Sequence, residues 1–127
     1  MTHRDLKLDN ILIKDGLYKV ADFGLSKFED AKSSTNAGQN FMNMPPESVL
    51  NSTKGLPVDV WALGLMLHEM IFKKHPFLKD GAHVMSIPIA MTQDPYNIPD
   101  QPALSEGFKS LLKSCLEKDP AKRITIP

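Results

Sequence analysis

The chain has 127 residues, 42% of them apolar, which suits one domain or part of one and excludes disorder as a description of the whole. Lys plus Arg and Asp plus Glu both total 15, so there is no net charge and no electrostatic case for binding nucleic acid or an anionic membrane surface. The single cysteine, Cys115, lacks an internal disulfide partner, and residues 1–5 are polar with no apolar run behind them, so an intracellular, reducing and cytoplasmic setting without a signal peptide is expected.

In chain order, Ile11–Lys14 and Leu17–Ala21 are strand-like runs separated by Asp15-Gly16, a strong short-range hairpin signal. Residues 28–39 are polar and rich in Ser, Asn and Lys, which predicts a loop that Met44-Pro45-Pro46-Glu47 brings to an end. Glu47–Leu50 predicts a single helical turn. Val58–Phe72 predicts a helix with Pro57 near its start; its apolar positions run nearly all the way round, as in a helix at the centre of a domain. It carries Asp59, His68 and Glu69 and is too short to span a bilayer. Ala82–Met91 is a weaker helix pattern, interrupted by Pro88. Ser105–Glu117 predicts a helix capped by Ser105, with Phe108, Leu111, Leu112, Cys115 and Leu116 on one face. Met66, Met70 and Met85 are expected to pack, and the charges of Glu117–Lys122 to form a solvated turn. The fold class is therefore mainly α with a small β-hairpin (α+β).

The hairpin register gathers chemistry. With Asp15-Gly16 at the tip, Lys14 faces Leu17, Ile13 faces Tyr18, Ile11 faces Val20, and Asn10 falls opposite Ala21 beside Asp22. An amide oxygen and a carboxylate thus meet at the open end, both hard oxygen ligands suited to Mg²⁺. Asp5 and Lys7 lie just before them. Composition alone favours reading these residues as a solvated polar loop.

The order of residues adds a resemblance. His3-Arg4-Asp5-Leu6-Lys7-Leu8-Asp9-Asn10 is similar to the catalytic loop of protein kinases, and Asp22-Phe23-Gly24 to the metal-binding motif that follows it. Pro45-Pro46-Glu47 resembles the close of the activation segment, and Asp59-Val60-Trp61-Ala62-Leu63-Gly64 the start of the family's central helix. His75-Pro76-Phe77 and Asp119-Pro120-Ala121-Lys122-Arg123 also match in order. The resemblance is to the eukaryotic-type serine/threonine branch and covers nearly the whole chain. It implies a protein-kinase-like large lobe, incomplete, with a catalytic loop over 3–10, a hairpin over 11–21, an activation segment over 22–47 and a helical part over 48–127.

The resemblance also implies roles. Asp5 would accept the substrate hydroxyl's proton, Lys7 would neutralise the γ-phosphate, and Asn10 and Asp22 would hold Mg²⁺ for ATP, the cosubstrate for phosphorylating Ser and Thr hydroxyls of proteins. Asp59 would accept hydrogen bonds from the catalytic-loop backbone, and Arg123 would pair with Glu47. Arg4 and Lys27 would form a cationic pocket for a phosphate on Thr35, or on Ser33 or Ser34; the alternative is an ordinary polar loop. Asp9 and Glu69 would favour a basic residue upstream of the target hydroxyl; the alternative is two ordinary surface acids. No hydroxyl residue stands where the family threonine would bridge the catalytic Asp and Lys, leaving Asn40 or Gln39 to make part of that bridge. The family's glycine-rich loop, strand lysine, helix glutamate, adenine-binding hinge and preceding long helix have no counterpart in these residues. The chain alone is accordingly expected to be inactive and marginally stable, and a pseudokinase-like or truncated binding module is the competing reading.

Overall fold

A computed structural model describes residues 2–22, 41–51 and 55–127. Among these, the chain forms a two-stranded antiparallel sheet and four α-helices, with short 3-10 turns between them. Strands β1 (Ile11–Lys14) and β2 (Leu17–Val20) pair Ile11 with Val20, Leu12 with Lys19, Ile13 with Tyr18 and Lys14 with Leu17. Asp15 and Gly16 both take positive φ, 53° and 75°, the pair of left-handed residues that a two-residue hairpin turn needs. The register is therefore set locally by the turn. Leu12, Ile13, Leu17 and Tyr18 are all exposed.

Helix α1 spans Pro46–Asn51 and α2 spans Leu56–Phe72. Gly55, at φ 138°, supplies the turn into α2, and Pro57 sits in its first turn where a missing N–H costs nothing. Lys73 ends α2 in a left-handed conformation, its N–H 2.9 Å from the Glu69 carbonyl. Pro88 starts a helix rather than interrupting one: a 3-10 turn over Val84–Ser86 leads into α3 (Ile87–Gln93) with Pro88 in the first turn. Proline's fixed φ suits that position, so the predicted break falls one turn earlier than its residue suggests. Helix α4 spans Glu106–Cys115, and the Ser105 hydroxyl accepts from the Phe108 N–H at 3.2 Å.

The core lies where α2, α3 and α4 meet. Trp61, Leu65, Phe77, Ile87, Ala90, Met91 and Leu116 form one buried cluster, with Trp61 and Phe77 stacked at 5.9 Å. Gly64 lets α4 approach closely: a Cβ there would lie 2.8 Å from the Cys115 Cβ and 2.9 Å from Leu116. The apolar ring on α2 is used unevenly. Val58, Val60, Trp61, Leu65 and Met66 are buried, whereas Met70 is exposed because the end of α2 runs out of the core. Met85, on the 3-10 turn before α3, is also exposed, so of the three methionines expected to pack only Met66 does. Leu111 is exposed too; α4 presents Leu112 and Cys115 to α2, and Leu116 follows at its cap. Nor is the turn after α4 wholly solvated, because Lys118 reaches back over the Phe77 ring and donates to the Asp94 carbonyl. No helix among the described residues is long and apolar enough to cross a membrane.

Candidate active site

The segment before the hairpin is held from beneath by α2. Asp59, buried in the first turn of α2, accepts from the backbone N–H of His3 at 2.7 Å and of Arg4 at 2.8 Å. Two N–H donors on one carboxylate are charge-assisted bonds, stronger than neutral ones. They hold Arg4 at φ 72°, a left-handed conformation that a non-glycine residue adopts only when its surroundings impose it.

His3 extends the scaffold in two directions. Its Nδ1 accepts from the Asp5 N–H at 3.2 Å, so Nε2 carries the ring proton and donates to the Ala21 carbonyl at 2.9 Å. One buried imidazole thereby joins the start of the loop to the strand that leads to Asp22. Sequence reasoning used His3 only as a letter of the motif. A histidine two residues before a predicted functional carboxylate was the signal, but its second ring partner, the Ala21 carbonyl, lies 18 residues away.

Asn10 closes the loop. Its backbone N–H donates to the Lys7 carbonyl at 3.0 Å within the 3-10 turn Leu8–Asn10. Its buried side-chain Nδ2 donates to the Asp5 carbonyl at 2.7 Å and to Asp5 Oδ2 at 3.3 Å. Those donations fix which end of the amide faces Asp5 and turn Oδ1 the other way. The Lys7 ammonium stands 3.8 Å from Asp5 Oδ2. Across the hairpin mouth, the Ala21 N–H donates to the Asn10 carbonyl at 2.8 Å, which sets Asp22 one residue beyond Asn10's partner. Asp22 is exposed and, like Arg4, left-handed, with φ 58°. Asp5, Lys7 and Asn10 thus share one cluster, with Asp22 two residues past the end of β2.

A narrow cleft opens beside Asp5. Arg4, Asp5 and Leu6 form one wall, Asn43 and Met44 the other, and Val58 and Ala62 of α2 the floor. The far wall belongs to the segment that runs from the 3-10 turn Phe41–Asn43 into α1.

Glu47 and Arg123 are joined at a distance from this cluster. Arg123 Nη1 lies 2.7 Å from Glu47 Oε1 and Nη2 lies 2.9 Å from Oε2, a bidentate pair buried against Trp61. The pair binds the start of α1 to the turn after α4. Asp9 and Glu69 are exposed on separate elements, the 3-10 turn and α2. Phe23, Gly24, Lys27, Ser33, Ser34, Thr35, Gln39 and Asn40 lie outside the described residues.

The protein kinase domain family matches residues 1–127, and the chain belongs to that family. Among curated proteins, it is 40% identical to mitogen-activated protein kinase kinase kinase 20 of Arabidopsis thaliana, over 97% of this chain and 38% of that protein. It is 37% identical to the serine/threonine-protein kinase PAK 1 of Mus musculus, over 95% of this chain and 23% of that protein. It is 35% identical to CBL-interacting protein kinase 25 of Oryza sativa subsp. japonica, over 98% of this chain and 25% of that protein. The chain therefore spans well under half the length of each of these relatives.

Proposed function

We propose that this chain is the catalytic-loop and helical portion, the large lobe, of a serine/threonine protein kinase that transfers phosphate from ATP to protein hydroxyls. In this reading residues 3–10 are the catalytic loop, 11–21 the hairpin, 22–47 the activation segment and 48–127 the helical part. The observation that carries it is the bonding of Asn10 Nδ2 to both the carbonyl and the carboxylate of Asp5, with the Lys7 ammonium 3.8 Å from that same carboxylate.

The donor set suits Mg²⁺. That ion keeps several waters and takes one or two carboxylates together with phosphate oxygens, so a dedicated cage is not required. Among the described residues there is no group of three or more His, Cys, Asp or Glu that would make one. Asn10 Oδ1, directed away from Asp5, and the Asp22 carboxylate are the two oxygens that would serve. When bound, Mg²⁺-ATP supplies the phosphoryl group and part of the charge neutralisation.

The chain's own residues do the rest. Asp5, with its N–H fixed by His3 and its carbonyl by Asn10, orients a hydroxyl by accepting its hydrogen bond and takes the proton as the bond to phosphorus forms. Lys7 brings a positive charge to the side of Asp5 where negative charge accumulates. Asp59 takes no part in the transfer itself; it keeps the loop backbone in the left-handed turn that aims Asp5. Phosphoryl transfer asks mainly for positioning and electrostatics, which is what this cluster provides.

The test uses the full-length protein containing this sequence. Asp22→Ala and Asp5→Asn are each expected to reduce phosphotransfer to a peptide by at least about a hundredfold, within the span usual for a lost acid–base or electrostatic group. Full activity in either variant would remove the assignment.

A further inference from the structure

We propose that His75 is a positioning residue for the protein-substrate side of the cleft, tethering the turn Phe41–Asn43 to the end of α2; the proposal rests on the kinase reading above. His75 follows the left-handed end of α2, and both of its ring nitrogens are committed. Nε2 lies 2.7 Å from the Met42 carbonyl oxygen, and Nδ1 lies 3.2 Å from the Phe77 backbone nitrogen. An amide N–H can only donate, so Nδ1 accepts, and Nε2 bears the proton that it gives to Met42. The ring is thus neutral, with one nitrogen capping its own turn and the other gripping a segment 33 residues earlier in the chain.

The two ends differ in what they hold. The Phe77 end is anchored, because Phe77 is buried and stacked on Trp61. The Met42 end holds the residue that immediately precedes Asn43 and Met44, the far wall of the cleft at Asp5. That turn also packs on α2 and α3, which fixes its height, whereas a directional bond to one carbonyl fixes its rotation. Rotation at Met42 decides how Asn43 and Met44 face Asp5, and hence how a peptide hydroxyl is presented. Burial holds the imidazole below its ordinary pKa against the raising influence of the Met42 carbonyl and of Glu69 on α2. His68 on α2 and Lys74 beside it are the other titratable neighbours. The acceptor on Nδ1 therefore persists at neutral pH, while Nε2 donates to Met42 in either protonation state.

A merely structural histidine would act through the Phe77 turn, and two variants separate the roles. In His75→Asn the side-chain oxygen takes the place of Nδ1 and keeps the turn, but nothing reaches Met42. In His75→Gln the side-chain amide nitrogen takes the place of Nε2 and keeps the tether, but the cap at Phe77 is lost. Both are made in the full-length protein, with ATP and a synthetic serine peptide as substrates, and amide hydrogen exchange is followed over residues 41–47. Asn is expected to raise KM for the peptide about three- to tenfold, the loss of one hydrogen bond, with kcat and KM for ATP unchanged and exchange over 43–47 accelerated. Gln is expected to restore both readouts to near the wild-type values. A defect in Gln that equals or exceeds the one in Asn, or exchange unchanged in Asn, would overturn the proposal. If the wild type showed no phosphotransfer, the kinase reading would fail separately, and the exchange comparison would still decide whether the tether exists.

Discussion

Replacing Arg123 by methionine tests the packing argument most directly, because its guanidinium is fully used. Its five N–H groups make five hydrogen bonds: Nε to the Glu117 carbonyl, Nη1 to Glu47 and the Pro57 carbonyl, and Nη2 to Glu47 and the Lys118 carbonyl. The side chain is 0% exposed, Glu47's is 9% exposed, and the guanidinium carbon lies 5.1 Å from the centre of the Trp61 ring. Methionine fills similar volume but strips Glu47 of its countercharge and three carbonyls of a donor. Removing one partner of a buried ion pair costs about 3–5 kcal/mol. Arg123→Lys should recover only part of that loss, since an ammonium cannot reproduce the planar fork. Urea denaturation of the domain containing this sequence, followed by the fluorescence of Trp61, reads the effect in the environment it perturbs. Because the pair is buried, added salt should leave the difference nearly unchanged. A loss below about 1 kcal/mol for Arg123→Met, or a lysine variant as stable as the wild type, would refute the claim that this pair locks α1 to the turn after α4.

Two further outcomes follow from the core. Gly64→Ala should destabilise the domain by about 1–3 kcal/mol, because its Cβ would lie 2.8 Å from the Cys115 Cβ on the facing helix; an unchanged denaturation midpoint would show that α4 can move aside. His68 is buried with its Nδ1 2.8 Å from the Tyr96 hydroxyl, and burial, with His75 and Lys74 adding to it, lowers its pKa to about 4 from 6.5. The folded state thus binds fewer protons than the unfolded one between those values. Stability from the neutral ring is complete above pH 6.5 and falls as the pH drops toward 4, by a total on the order of 3 kcal/mol. Denaturation midpoints across that range should slope in the wild type and flatten in His68→Gln; equal slopes would place the titration elsewhere.

Much of the local architecture was legible in the sequence, because its causes are local. Asp15-Gly16 set the hairpin register through backbone conformations that these two residues tolerate. The hydroxyl of Ser105, three residues before Phe108, announced the start of α4. The order of motifs from His3 to Arg123 pointed to the protein kinase family that the chain proved to match across its length. Pro88 misled because proline forbids a helix interior and favours a helix start with the same ring. Met70, Met85 and Leu111 misled because an apolar side chain states a preference for burial without saying whether a neighbour exists to bury it. What tertiary structure alone decided are meetings that neither local rules nor the resemblance named: His3 reaching the Ala21 carbonyl across 18 residues and His75 reaching Met42 across 33. Helical and strand periods say which face of an element is apolar. Which distant polar groups then converge depends on packing: Asp5, Lys7 and Asn10 meet through contacts within their own loop, but α2 fixes that loop through Asp59.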